Sequence, residues 1–85
     1  MQAYDIRFTK EALKDVAKIT PKLKEKLKAI LTESISKTPH IGKRLVGDLQ
    51  GFYSVRLTYK DRIVYTIDET EKIVFIHRAR THYGE

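Results

Sequence analysis

Three segments in the second half of the chain alternate between apolar and polar residues, with a short polar stretch between each and the next. Alternation with a period of two is typical of strands that bury one face of a sheet. Strands joined by such short connections pair in antiparallel fashion. The chain is thereby restricted to folds that contain a small antiparallel sheet. The predicted strands cover residues 52–59, 62–67 and 72–79, with turns at Lys60-Asp61 and at residues 68–71.

The first half of the chain predicts one more strand and two helices. Residues 4–8 alternate as a short strand, and Thr9 then supplies an N-cap for the first helix. Thr20, followed by a proline, begins the second helix, which ends near Thr38-Pro39. Residues 40–51 have the composition of a loop. The order βααβββ predicts an α+β fold, with two antiparallel helices packed on one face of a mostly antiparallel four-stranded sheet.

Length and composition indicate a single domain over residues 1–85. The chain has no cysteine, so no disulfide and no thiolate metal site is expected, and its three histidines show no metal-ligand spacing. We expect no cofactor, no membrane span and a cytoplasmic location. The net charge of +6, from 17 basic and 11 acidic residues, favours a polyanionic partner such as nucleic acid or an acidic protein.

Two arginines occupy neighbouring strands of the predicted hairpin. The alternation places Arg56 and Arg62 on the same face of the sheet, and the only carboxylate between Gly51 and Ile67 is Asp61. Like charges that face each other across a sheet are destabilising unless an anion lies between them. Two interpretations stay open: both side chains border solvent, or they form an anion site.

The last eight residues, RARTHYGE, place further basic and aromatic groups after the final strand. Continued alternation puts Arg78, Arg80 and His82 on one side, and Tyr83 follows. Histidine exchanges protons near neutral pH, and tyrosine stacks on bases or donates a phenolic proton. The tail is either a solvated chain end or part of a working site.

Arginine, lysine, histidine and tyrosine without a clear carboxylate suit cleavage of an RNA backbone. The substrate supplies its own nucleophile, the ribose 2′-hydroxyl, so the protein needs neither a serine nor a metal. It has to hold the phosphate in line, neutralise the developing charge and move protons. The sequence contains no Gly-rich phosphate loop and no hydrolase triad.

The motifs GFYSVR and DRIVY, together with the terminal His-Tyr, resemble the RelE/ParE toxin superfamily. Within it, the chain is most similar to the YoeB/Txe-type mRNA interferases of bacterial toxin–antitoxin systems, over nearly its whole length. This resemblance implies a RelE-like microbial RNase fold. It also implies a metal-independent, ribosome-dependent endoribonuclease that cuts mRNA in the A site and inhibits translation.

The resemblance also implies roles for individual residues. Arg62, in DRIVY, corresponds to the arginine that stabilises the scissile phosphate, and His82 to the general acid, with Tyr83 beside it. At the position of the glutamate proposed as general base in YoeB-like toxins, alignment on Leu45 places Lys43, with Arg44 as the alternative. Either Lys43 is the base, or catalysis depends on positioning and charge alone. The further residues expected to bind RNA are Arg44, Arg56, Arg78 and Arg80.

The expected partners are mRNA and ribosomal RNA in the A site, and a cognate antitoxin with an acidic, partly disordered segment that covers or displaces the RARTHYGE tail. The sequence leaves open whether the toxin forms a homodimer or only a toxin–antitoxin hetero-oligomer. Two other functions also stay open. The chain could inhibit DNA gyrase, as ParE-type members do, or bind nucleic acid through its basic residues without catalysis.

Overall fold

The computed structural model describes residues 3–79, except for the side chain of Leu49. Short helical turns occupy Leu31–Ile35 (π-helical), Pro39–Ile41 and Gly47–Leu49 (both 3₁₀). The helices and strands, in chain order, are β1 (Asp5–Phe8), α1 (Lys10–Lys18), α2 (Pro21–Ile30), β2 (Lys43–Arg44), β3 (Tyr53–Arg56), β4 (Arg62–Asp68) and β5 (Ile73–Arg78).

The strands form one sheet in the order β1-β5-β4-β3-β2. The β1–β5 pair is parallel and the other three pairs are antiparallel. The predicted α+β fold and the predicted order of the main elements are therefore confirmed. The sheet has five strands rather than the predicted four, because β2 pairs with β3 inside the segment predicted as a loop. At two residues, β2 is too short to show an alternating pattern.

The turn between β3 and β4 is longer than predicted. β3 ends at Arg56 rather than at residue 59, and residues 57–61 form the connection. The backbone N–H of Leu57 donates to the Asp61 carbonyl at 2.8 Å, and the Thr58 hydroxyl donates to the Asp61 carboxylate at 2.9 Å. These bonds close the turn and set the register of the hairpin.

Both predicted N-caps are present. The Thr9 hydroxyl accepts from the backbone N–H of Ala12, and the Thr20 hydroxyl accepts from that of Leu23, each at 3.2 Å. Each bond satisfies a backbone donor that the first turn of a helix leaves free, which explains where α1 and α2 begin. Beyond α2 the chain continues through the π-helical turn and then breaks before Pro39.

The core lies between the helices and one face of the sheet. Buried apolar residues from the helical segments pack against alternate residues of β4 and β5, which share that face because side chains alternate along a strand. This central set comprises Ala12, Leu27, Leu31, Ile35, Ile63, Tyr65, Val74 and Ile76. Within residues 3–79, no helix is long and apolar enough to cross a membrane.

Candidate functional site

A cleft of about 430 Å³ lies beside the β3–β4 hairpin, near the edge strand β2. It brings together Lys43, Arg56 and Arg62, three of the residues that the sequence predicts for the site. We call this feature the basic cleft. Its lining residues are Ile30, Ser34, Ile41, Lys43, Ser54, Val55, Arg56 and Arg62.

The sheet register explains how these side chains come together. Arg56 lies directly opposite Arg62 in the β3–β4 pair, and Lys43 lies directly opposite Ser54 in the β2–β3 pair. Ser54 and Arg56 are two residues apart, so all four residues share one face of the sheet. The three basic side chains are exposed, whereas Ser54 is buried.

The basic cleft carries positive charge. Among residues 3–79, none of those that line it is an aspartate or glutamate. Within residues 3–79, Lys43, Arg56 and Arg62 form no ion pair. Two guanidinium groups that face each other repel, and a bound anion removes that repulsion. The arrangement is therefore suited to a phosphate group or another oxyanion.

Tyr65 fixes the segment that leads into β2. Its hydroxyl donates to the Pro39 carbonyl at 2.7 Å and accepts from the backbone N–H of Gly42. Burial raises the pKa of Tyr65 to about 12, so the hydroxyl remains a donor at neutral pH. A Cβ atom at Gly42 would collide with the Tyr65 hydroxyl. Tyr65 thus holds the backbone next to Lys43, a role that alternation alone did not predict.

The Arg78 side chain forms an ion pair with Asp15. Its guanidinium donates from Nε and Nη2 to the carboxylate of Asp15, at 2.7 and 3.1 Å. The same carboxylate accepts from the backbone N–H of Ala79 at 3.2 Å, and Asp15 is buried in α1. Arg78 therefore links β5 to α1. The expectation that it binds RNA stays a prediction, and this pairing weighs against it.

The other predicted residues lie outside the basic cleft or outside the described part of the chain. Arg44 is paired with Tyr53, so its side chain leaves the opposite face of β2 from Lys43, and it does not line the cleft. Arg80, His82 and Tyr83 lie beyond residues 3–79. Their predicted roles remain predictions.

His77 and Ser54 are two polar residues for which the sequence patterns predicted no functional role. The His77 Nε2 atom lies 3.0 Å from the Thr66 hydroxyl, and its ring packs edge-on against Phe52. Partial burial lowers the pKa of His77. Ser54 is buried, and its hydroxyl has no hydrogen-bond partner among the residues that the structure describes. Within residues 3–79, no group of three or more histidine or acidic side chains could hold a metal ion.

The fold is shared with solved structures of bacterial toxins. The toxin–antitoxin complex RelBE2 of Mycobacterium tuberculosis contains a chain with 30% identity and a TM-score of 0.84, matched over 94% of this chain and 99% of that one. The YoeB–YefM complex of Staphylococcus aureus matches with 30% identity and a TM-score of 0.77, over 94% and 98% of the two chains.

A third similar structure is the intact RelBE toxin–antitoxin complex of E. coli, with 26% identity and a TM-score of 0.80 over 95% of this chain and 99% of that one. Among curated proteins, none matches the sequence. Residues 6–83 match the family model of the ParE-like toxin of type II bacterial toxin–antitoxin systems. Because this match spans most of the chain, the protein belongs to the ParE-like toxin family, within the RelE/ParE superfamily predicted from its motifs.

Proposed function

We propose that this toxin is a ribosome-dependent endoribonuclease that cuts mRNA in the ribosomal A site. One observation carries the proposal: Arg56 and Arg62 face each other across two paired strands, in a cleft that Lys43 also lines. No acidic residue from the described part of the chain lines this cleft. Such a cleft suits a phosphodiester whose negative charge increases during the reaction. The motifs shared with YoeB-like interferases, and the similarity to chains of the RelBE and YoeB–YefM complexes, support the same conclusion.

The proposed reaction uses the hydroxyl group of the substrate. The ribose 2′-oxygen attacks the adjacent phosphorus atom, and the bond from phosphorus to the 5′-oxygen of the next nucleotide breaks. Lys43, as the neutral amine, accepts the 2′-hydroxyl proton, and His82 donates a proton to the departing 5′-oxygen. The products are a 2′,3′-cyclic phosphate and a 5′-hydroxyl. Arg56 and Arg62 neutralise the charge on the pentavalent phosphorus in between.

A purified translation system tests this proposal. Primer extension maps the 5′ ends of the mRNA, with and without ribosomes, for the wild type and the variants His82→Ala, Arg62→Ala and Lys43→Ala. We expect ribosome-dependent cuts in A-site codons, slowed by about 10²- to 10⁴-fold where a proton-transfer group is lost. Lys22→Ala is the matched control, because it removes one positive charge from an exposed position of α2 that does not line the basic cleft.

The variants also separate the alternatives. Cleavage by Lys43→Ala at the wild-type rate would exclude Lys43 as the general base. Catalysis would then depend on positioning of the substrate and on charge alone. Wild-type function in His82→Ala would favour a nucleic-acid-binding module without catalysis. Intact mRNA in the presence of wild-type protein would contradict the proposal. The ParE-like family match would then favour gyrase inhibition, which a DNA supercoiling assay would test.

The proposed function requires an inhibitor in the cell, and we propose that a cognate antitoxin supplies it. The similar chains from Mycobacterium tuberculosis, Staphylococcus aureus and E. coli were each solved in a toxin–antitoxin complex. An acidic segment of the antitoxin would neutralise the basic cleft and cover the RARTHYGE tail. Equal cleavage rates for the free toxin and the saturated complex would contradict this part of the proposal.

A further inference from the structure

Ser54 carries a buried hydroxyl group. The residue is 5% exposed, and in the part of the chain that the structure describes its Oγ atom has no hydrogen-bond partner. Within residues 3–79, it is the only buried side-chain nitrogen or oxygen atom in that condition. A buried donor without a partner costs free energy, and native structures contain few of them. The position of Ser54 therefore calls for a physical explanation.

Two other polar side chains, one half-buried and one buried, form hydrogen bonds within the protein. The Ser36 hydroxyl donates to the Tyr4 carbonyl at 2.8 Å, and buried Asp15 accepts from Arg78 and from the backbone of Ala79. The Ser36 hydroxyl, which belongs to the same residue type, therefore forms a hydrogen bond within the fold. Within residues 3–79, Ser54 lacks such a bond, which distinguishes its hydroxyl from that of half-buried Ser36.

The location of Ser54 indicates which kind of ligand could accept a hydrogen bond from its hydroxyl. Ser54 lines the basic cleft, lies directly opposite Lys43 and precedes Arg56 by two residues on the same face of β3. Its neighbours in the cleft are cations that attract an anion, and an anion offers several acceptor oxygens at once. Because Oγ itself is buried, contact requires rotation of the side chain about its Cα–Cβ bond, between staggered positions.

We infer that Ser54 is a ligand-binding residue of the basic cleft, whose hydroxyl donates a hydrogen bond to a phosphate oxygen held by Lys43, Arg56 and Arg62. This inference deepens the proposed function and rests on it for the identity of the ligand as an RNA phosphodiester. A neutral donor adds direction to the site, because the hydroxyl bonds one oxygen in one geometry, whereas the flexible basic side chains mainly supply charge.

The matched pair Ser54→Ala and Ser36→Ala tests the inference. Each variant loses one hydroxyl. We expect Ser54→Ala to keep or raise the melting temperature and to slow single-turnover cleavage on ribosomes by about 10- to 100-fold, the usual effect of losing a hydrogen bond to a charged group. Ser36→Ala should lower the melting temperature, because the Tyr4 carbonyl loses its partner, and should cleave at the wild-type rate.

Two results in this comparison would overturn the inference. A wild-type cleavage rate in Ser54→Ala would show that the hydroxyl does not contact the substrate. A lower melting temperature in Ser54→Ala, of the size seen for Ser36→Ala, would show that the hydroxyl acts within the fold.

A second measurement separates this inference from the proposed function. The melting temperatures of the wild type and of Ser54→Ala are recorded with increasing inorganic phosphate, because a ligand that binds the folded state stabilises it. A larger rise for the wild type would support the Ser54 contact even if the wild type proved unable to cut mRNA. Equal rises, or none in either protein, would overturn the contact whether or not mRNA is cut.

Discussion

At the scale of single residues, Arg56 and Arg62 are needed for the proposed function but lower the stability of the fold. They lie directly opposite each other on neighbouring strands, and like charges in that position are destabilising. We expect Arg56→Gln and Arg62→Gln each to raise the free energy of unfolding by roughly 0.2–1 kcal/mol at low salt, while cleavage is lost. Urea unfolding of both single variants and the double variant measures this effect.

The double-mutant cycle supplies its own control, because it isolates the interaction between the two side chains. The repulsion predicts that the second substitution gains less than the first, and that the difference shrinks as salt screens the charges. Additive gains, or losses of stability in the single variants, would contradict repulsion across the hairpin.

His77 gives the protein a pH dependence of stability. Burial lowers the pKa of its imidazole in the folded state, so the unfolded chain takes up a proton at a higher pH than the folded protein does. Stability should therefore fall as the pH decreases below about 6.5, the ordinary histidine pKa, until the folded pKa is passed. His77→Gln should flatten this part of a stability–pH profile obtained by urea unfolding.

The exposed carboxylate of Glu69 acts in a different pH range. Its pKa is lowered, first by the hydrogen bond from the Tyr4 hydroxyl, which stabilises the charged form. Its contribution is present above the unfolded pKa and is lost as the pH falls through the lower folded value. A profile that His77→Gln does not change would disprove the role of His77.

At the scale of elements, the ion pair between Asp15 and Arg78 joins α1 to β5. The Asp15 side chain is 5% exposed and accepts hydrogen bonds from the Arg78 guanidinium and from the buried backbone N–H of Ala79. Asp15→Ala should lower the free energy of unfolding by about 2 kcal/mol or more, since a buried N–H and a guanidinium lose their acceptor. Chemical denaturation measures the loss.

Arg78 is the matched partner in this experiment. Arg78→Ala should also destabilise the fold, because it removes a counter-charge from a buried carboxylate, and the double variant should cost less than the sum of the two. If Arg78 mainly bound RNA, its removal would instead weaken RNA binding and leave the unfolding curve unchanged. That result would restore the RNA-binding role predicted from the sequence.

At the scale of the whole molecule, the net charge of +6 should make polyanion binding dependent on salt. We expect affinity for a single-stranded oligonucleotide with 2′-O-methyl riboses, which lacks the attacking hydroxyl, to fall between about 50 and 200 mM salt. Arg56→Gln should reduce the slope of log K against log salt by about 0.7, the value for one lost phosphate contact. Fluorescence anisotropy measures both slopes.

The control for this prediction is Lys22→Gln, which removes the same charge from α2 outside the basic cleft. Its slope should match that of the wild type if contacts in the cleft dominate binding. Equal reductions in both variants would show that the net charge of the molecule, rather than the cleft, determines the affinity.

The sequence by itself determined the elements whose signals are local. Caps at Thr9 and Thr20 and the alternation in β3, β4 and β5 predicted the α+β fold, because helix ends and strand faces depend on neighbouring residues. The same alternation predicted that Arg56 and Arg62 share a face, and the motifs around them predicted the toxin family.

Only the tertiary structure decided the contacts between distant parts of the chain. It placed Lys43 in the cleft through a two-residue strand and paired Arg78 with Asp15. It also left the Ser54 hydroxyl without a partner among residues 3–79. Such contacts depend on how sheet and helices pack, and no local period or cap encodes them. The fold class could therefore be predicted from the sequence, whereas the composition of the basic cleft required the folded chain.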